Sequence, residues 1–204
     1  IKNGANAVVV ACNTATSVAI KELRANLSVP IIGMEPAVKK AHDLSCDDTL
    51  KTLVIATPVT VNGAKLKELI TNLHAKDKTE LLALPRLVNF AENGEFDTEN
   101  VKSYLKEELA KFDLSKFSFL VLGCTHFNYF KDSLREILSS NISIIDGNEG
   151  TINRLISELR LTISNANLTS NVKFFYSGAE VYEQSELDKI SRNLTRLEKM
   201  REIC

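Results

Sequence analysis

The chain predicts an α/β fold with mainly parallel sheets flanked by helices, and three observations carry that expectation. Short continuous apolar runs recur along it, as parallel strands covered on both faces require. Segments with apolar residues at helical spacing lie between them, so strand and helix alternate and right-handed crossovers are expected. Two of the runs, in Val8–Thr16 (VVVACNTAT) and Phe119–Phe127 (FLVLGCTHF), end alike in a small residue, a cysteine and a polar residue able to begin a helix. Strand ends are where α/β folds present reactive groups. The pattern reads as two thiols displayed the same way in two similar halves, although no sequence repeat extends beyond these steps.

In chain order, Ala7–Ala11 is the first strand. The helix behind it can be capped by Asn13 or Thr14, carries Ala15, Val18, Ala19 and Leu23 on one face, and ends near Asn26. Val29–Gly33 is the next strand, with Pro30 at its start where a missing N–H is tolerated. Met34, Glu35 and Pro36 then turn into a helix through Leu44. After a polar loop at Cys46–Thr49, Thr52–Ala56 is a strand ending in Thr57, Pro58, Val59 and Thr60. A helix from about Asn62 to His74 buries Leu66, Leu69, Ile70 and Leu73. Leu81–Leu84 is another strand, and Pro85–Glu92 leads through Asn93 and Gly94 to a helix carrying Val101, Leu105, Leu109 and Phe112. The Phe119 strand delivers Cys124. A helix with Phe130, Leu134, Ile137 and Leu138 follows, then a strand Ile142–Ile145 ending at Asp146. Beyond Gly150 come a helix with Ile152, Leu155, Ile156 and Leu159, a polar linker Ser164–Asn171, a strand Val172–Tyr176 and a charged terminal helical region.

A chain of 204 residues can bury a substantial core in one large or two small domains, and two are expected. With 25 basic and 26 acidic residues the net charge is −1, which leaves no electrostatic footprint for nucleic acid or an anionic membrane. Small-molecule partners fit better. No apolar run approaches the roughly 20 residues of a membrane span and no signal peptide is evident, so the chain reads as soluble and cytoplasmic. Cys12, Cys46, Cys124 and Cys204 lack the CxxC spacing of zinc sites and the density of a disulfide scaffold, and read as reduced thiols. The first residue is Ile1, not Met, so an absent N-terminal segment is expected.

Alone, Cys12 suits a buried strand end, as free cysteines often do. Asn13 and Thr14 shift that reading, because a polar pair after a strand offers side-chain and helix N-terminal donors to an anionic ligand. In Gly123-Cys124-Thr125-His126 the glycine permits a tight strand exit, and His126 is near enough to tune or protonate the cysteine. A Cys–His pair can be a nucleophile with its base or half of a metal site. Two matched thiols suit a different chemistry, proton transfer at a carbon stereocentre, in which one group removes a proton from one face and the other returns one to the opposite face. Cysteine is apt because its unperturbed pKa of roughly 8.5 can be brought toward neutrality. Thr57 and Thr60 fit helix caps or carboxylate binders. Glu35 and Glu92, taken singly, are ordinary solvated acids, and His42 and His74 receive no role. The residues by themselves reach a two-thiol α/β enzyme acting on a small polar ligand.

ACNTA at Ala11–Ala15 together with LGCTHF at Leu122–Phe127 resembles the glutamate racemases of the aspartate/glutamate racemase superfamily. GMEPAVK at Gly33–Lys39, IATPVT at Ile55–Thr60, PRLV with Glu92 from Pro85, and IID at Ile144–Asp146 extend the resemblance over nearly the whole chain. The resemblance implies Cys12 as the base for D-glutamate and Cys124 as the base for L-glutamate, with His126 and Glu92 as acid/base partners of the second cysteine. It places Asn13, Thr14, Thr57, Thr60, Thr125 and His126 at the substrate's carboxylates and ammonium. No metal and no pyridoxal phosphate or other cofactor is implied, and a homodimer is the common assembly. The implied fold has two domains, 1–35 plus 147–204 and 36–146, with the active site in the cleft between them. The implied role is supply of D-glutamate for bacterial peptidoglycan, with an aspartate or other amino-acid racemase, or a non-catalytic two-domain ligand-binding module, as alternatives. The family's N-terminal DSG segment and Tyr-Gly dipeptide have no match, which by analogy leaves about 60 residues unaccounted for. Asn128 stands where Pro is common and Gly147 where Ser is usual.

Overall fold

The computed structural model describes residues 4–47, 49–162 and 171–204. Its first half pairs β1 (Val8–Val10) in parallel with β2 (Ile31–Gly33), Val8 opposite Ile31, with α1 (Asn13–Asn26) as the crossover. The chain then passes through α2 (Val38–Leu44) into β3 (Lys51–Ala56). Next come α3 (Pro58–Asn62), α4 (Ala64–Asn72), β4 (Thr79–Ala83), α5 (Pro85–Glu92) and α6 (Glu99–Leu109). β5 (Phe117–Leu122), α7 (Lys131–Ile137) and β6 (Ser143–Asp146) complete a four-stranded parallel sheet in the order β4-β3-β5-β6. The expected mainly parallel α/β architecture is therefore present.

This second sheet is covered on both faces, which is why its strands read as unbroken apolar runs. On one face Leu87, Phe90, Val101, Leu105, Leu109 and Leu134 pack against Leu53, Ile55, Leu120 and Leu122. On the other, Val38, Ala41, Leu66 and Ile70 cover Val54, Phe119 and Val121. Phe127 and Phe130 are fully buried in the first of these clusters. Truncating either to alanine would cost about 3–5 kcal/mol, so the segment just after Cys124 is anchored by its own apolar side chains.

Several elements differ from the sequence expectation. The helix expected over about Asn62–His74 is α4, and Pro58–Thr60, expected as the end of the preceding strand, belong instead to the short α3, with Gly63 as the C-cap of α3 and the N-cap of α4. After Cys124 the chain makes a 3-10 turn, Thr125–Phe130, before α7 begins. The strand expected at Val172–Tyr176 shrinks to β7 (Phe175–Tyr176), which pairs only with β8 (Ala179–Glu180) in an exposed antiparallel hairpin outside both parallel sheets. The linker expected at Ser164–Asn171 lies, but for its last residue, outside the described residues. α8 (Asn148–Leu159) and α9 (Gln184–Met200) are the helices expected near the C-terminus. No helix among the described residues is long and apolar enough to cross a membrane.

One crossing joins the sheets, leaving β2; a second, leaving β6, carries the chain into α8, which packs against β2. At the second, Asp146 ends β6 with its carboxylate on the Lys131 ammonium at 3.0 Å, an ion pair with both side chains largely buried, and it also accepts the Asn148 N–H at 2.8 Å. Removing one partner of such a pair costs about 3–5 kcal/mol. Gly147 follows, and a Cβ placed there would sit 2.5 Å from the Glu35 carbonyl oxygen of the other crossing. The two crossings touch backbone to backbone. Gly147→Ala should therefore destabilise the protein by about 1–3 kcal/mol through forced separation of these segments, read as a lower urea midpoint with an unchanged slope.

Candidate active site

Cys12 follows β1 and is itself the N-cap of α1, in extended conformation with φ −148°. Its Sγ accepts the Ala15 N–H at 3.4 Å. The cap expected at Asn13 or Thr14 thus falls to the cysteine, which leaves those two side chains for other partners. Asn13 is only 4% exposed and its Oδ1 has no hydrogen-bond partner among the described residues. A small cavity lined by Asn13, Thr60, Glu35 and Lys65, among others, opens beside it. Thr14 reaches across to the other sheet: its hydroxyl lies 2.8 Å from that of Thr57 and 3.1 Å from that of Thr60, which are 3.1 Å from each other. Thr57 also caps α3, accepting the Thr60 N–H. Three hydroxyls from two sheets form one cluster.

The second cysteine has a different setting. Gly123 donates its N–H to the Ile55 carbonyl at 2.8 Å, and Cys124 then leaves the sheet only 7% exposed. Burial pushes the Cys124 thiol from an ordinary value near 9 up to about 11, opposed by the backbone N–H groups of His126 and Phe127 and reinforced by charge on Cys12. The two thiols are therefore within electrostatic reach of each other. His126 Nδ1 lies 3.9 Å from Cys124 Sγ, and Nε2 lies 2.7 Å from Glu92 Oε1. An ionised carboxylate can only accept, so Nε2 carries a proton and, in the neutral ring, Nδ1 is the acceptor facing the thiol. Cys124, His126 and Glu92 form a chain of contacts leading outward, from a buried thiol to a carboxylate that is 64% exposed.

Of the residues singled out in the sequence, Thr14, Thr57 and Thr60 meet, as do Cys124, His126 and Glu92. Thr125 is half-buried at the head of the 3-10 turn, and its carbonyl accepts from the Asn128 amide at 3.2 Å. Glu35 pairs with Lys65 at 2.6 Å on the rim, as a solvated acid would. Sequence reasoning gave no role to Thr16, whose hydroxyl donates to the Val10 carbonyl and accepts the Met34 N–H, tying β1, α1 and the end of β2 together. A lone threonine in the first turn of a helix carries no local signal of that kind. Among the described residues no group of three or more His, Cys, Asp or Glu is arranged to hold a metal ion.

Fold and site together define an α/β protein that presents two thiols at strand ends, one of them backed by a histidine–carboxylate pair. The chain belongs to the Asp/Glu/hydantoin racemase family, whose model matches residues 1–155. It is 87% identical over 204 residues to the glutamate racemase of Campylobacter concisus, spanning 100% of this chain and 78% of that protein. With the glutamate racemase of Campylobacter curvus it shares 61% identity over 208 residues, again across 100% of this chain and 78% of the relative. Among solved structures, Escherichia coli glutamate racemase in complex with L-glutamate and an activator, UDP-MurNAc-Ala, matches with a TM-score of 0.73 at 26% identity, over 93% of this chain and 71% of that one. The glutamate racemase of Campylobacter jejuni shows the same fold, with a TM-score of 0.74 at 22% identity over 94% and 73% of the two chains.

Because the folded-state pKa of Cys124 is raised, its contribution to stability is intact below about pH 9 and is lost as pH climbs toward about 11. The folding free energy should therefore fall across that window, and the fall should be smaller in Cys124→Ala. Alkylation of Cys124, followed by mass spectrometry, should track the same titration and stay slow at neutral pH.

Proposed function

We propose that this protein is a cofactor-independent racemase that interconverts L- and D-glutamate, with Cys124 as the base for the L enantiomer and Cys12 as the base for the D enantiomer. The observation that carries the reading is the pair of thiols displayed alike at strand ends, one of them beside a histidine that meets a carboxylate. Glutamate as substrate is supported by the names of the 87% and 61% identical relatives. Residues 1–35 with 147–204 would form one domain and 36–146 the other, with the substrate held between them.

A proton relay through His126 and Glu92 sets the order of events. A thiol held near 11 is no base at neutral pH until its proton moves to His126 Nδ1, which leaves an imidazolium stabilised by the Glu92 carboxylate. The Cys124 thiolate then takes the Cα proton of L-glutamate and becomes a thiol again. Cys12 donates its own proton to the opposite face of the carbanion, which yields D-glutamate and a Cys12 thiolate. The protein now holds a Cys12 thiolate and a His126 imidazolium, and this is the form that works on D-glutamate. The hydroxyls of Thr14, Thr57, Thr60 and Thr125 would hold the substrate carboxylates, and the unpartnered Asn13 Oδ1 would accept from its ammonium. Supply of D-glutamate for peptidoglycan, a cytoplasmic location and a homodimeric assembly complete this reading.

Deuterium incorporation at Cα of L- and D-glutamate in heavy water tests it directly. Exchange is expected from both enantiomers, and racemisation should fall by at least about 10²-fold in Cys12→Ala and in Cys124→Ala. Exchange at neither enantiomer, with glutamate still bound, would replace the racemase by a ligand-binding module.

A further inference from the structure

The 3-10 turn Thr125–Phe130 is the weak point of the proposed relay. Its hydrogen bonds have poorer geometry than those of an α-helix, and no side chain caps its start. An exposed His–Glu pair adds little of its own, so the 2.7 Å contact between His126 and Glu92 depends on where the backbone puts the imidazole. Phe127 and Phe130 fix the inner side of the turn. Its outer side is gripped by one residue of α9, which lies beyond the stretch matched by the family.

That residue is Arg196. Its guanidinium donates to the Tyr129 carbonyl from Nε at 3.1 Å and from Nη2 at 2.9 Å, and it pairs with the Asp132 carboxylate at 2.7 Å. It also lies over the Phe96 ring, 5.4 Å from the centroid. Phe96 in turn stacks on Tyr129 with centroids 4.8 Å apart and planes 24° apart. The Arg196 side chain is largely buried in these contacts. The Tyr129 hydroxyl is pushed up first by burial and then by the charge of Glu92, so the ring held by Phe96 and Arg196 lies within reach of the relay's outer end. Such a fork of donors fixes orientation as well as distance, which a lysine in the same place would not.

We propose that Arg196 is a positioning residue: from the C-terminal helix it holds the Thr125–Phe130 turn so that His126 meets Cys124 and Glu92 together, and it thereby serves proton transfer at Cys124 and not at Cys12. This rests on the racemase reading above. No described contact of Arg196 reaches the Cys12 side of the site.

The test must allow for the equal free energies of the two enantiomers, which force kcat/KM to be the same in both directions. Arg196→Met should lower both by about 10- to 100-fold, as expected for a small misplacement, while the primary isotope effects move apart. With α-deuterated L-glutamate the effect on kcat/KM should rise, since removal of that deuterium by Cys124 becomes slower. With α-deuterated D-glutamate it should fall, since the slow step is then reprotonation by Cys124. Arg196→Lys should recover only part of the loss, and Asp132→Asn, which spares the bonds to Tyr129, should shift the effects less in the same directions. Isotope effects that stay put or move together in a folded Arg196→Met would overturn the proposal. The His126 ring N–H resonance gives a second readout independent of turnover, expected in the parent protein and weakened by exchange in Arg196→Met. If the parent shows no Cα exchange, the racemase reading fails, and an unchanged ring resonance in Arg196→Met refutes the positioning role by itself.

Discussion

The arrangement depends on the close pairing of β3 and β5 at Gly123. The Gly123 N–H donates to Ile55, and a Cβ at this position would lie 2.9 Å from Ala56 Cβ and 3.1 Å from the Ile55 carbonyl oxygen. Only a residue without a side chain lets the strands stay in register to their last residues there. Since both strands run the same way, their ends coincide, and Thr57 and Cys124 emerge at one edge. Had the pairing been antiparallel, one of these groups would lie at the opposite edge of the sheet. Parallel topology, made possible by covered faces, is what gathers groups so far apart in the chain.

A gradient of exposure runs outward from that edge. Cys124 is buried, His126 is half-buried and Glu92 is open to solvent. The thiol is held in its neutral form by lack of water. The imidazole between thiol and carboxylate can take a proton from one end and be stabilised at the other. Cys12 lies in another environment, with a backbone N–H on its sulfur. Two chemically identical groups are thus made inequivalent by their surroundings.

Much of this was legible in the sequence, and the reasons differ by element. The strands around Val54 and Val121 were clear because burial on both faces leaves an uninterrupted apolar run. Their bounds were less clear: β5 begins at Phe117, since Phe117 is apolar while Ser118 between it and Phe119 is not. The short helix α3 was hidden because Thr57, Pro58 and Thr60 read as the polar end of a strand. Val172–Tyr176 looked like a strand by composition, yet its side chains are exposed and it finds only a hairpin partner. Cys12 as a cap was missed because sulfur is an unusual acceptor at a helix N-terminus. Glu92 had no distinguishing mark of its own and gained a role only through the resemblance. The hydroxyl cluster joins residues 43 and 46 positions apart, and Arg196 is one more cation on a charged helix, so neither is visible before the chain is folded.

The contact between Gly147 and Glu35 has a mechanical side. The one connection between the sheets, leaving β2, is met at Glu35 by the segment leaving β6, so the start of α8 is set against the link between the sheets. Other described ties between the two parts are the hydroxyls of Thr14 with Thr57 and Thr60, the Glu35–Lys65 and Lys40–Glu149 pairs, both at 2.6 Å, and the bonds of Arg196 to Tyr129 and Asp132. The first of these joins α1 to the end of β3 through three small hydroxyls alone, so the junction of the two sheets is polar where the cores on either side of it are not.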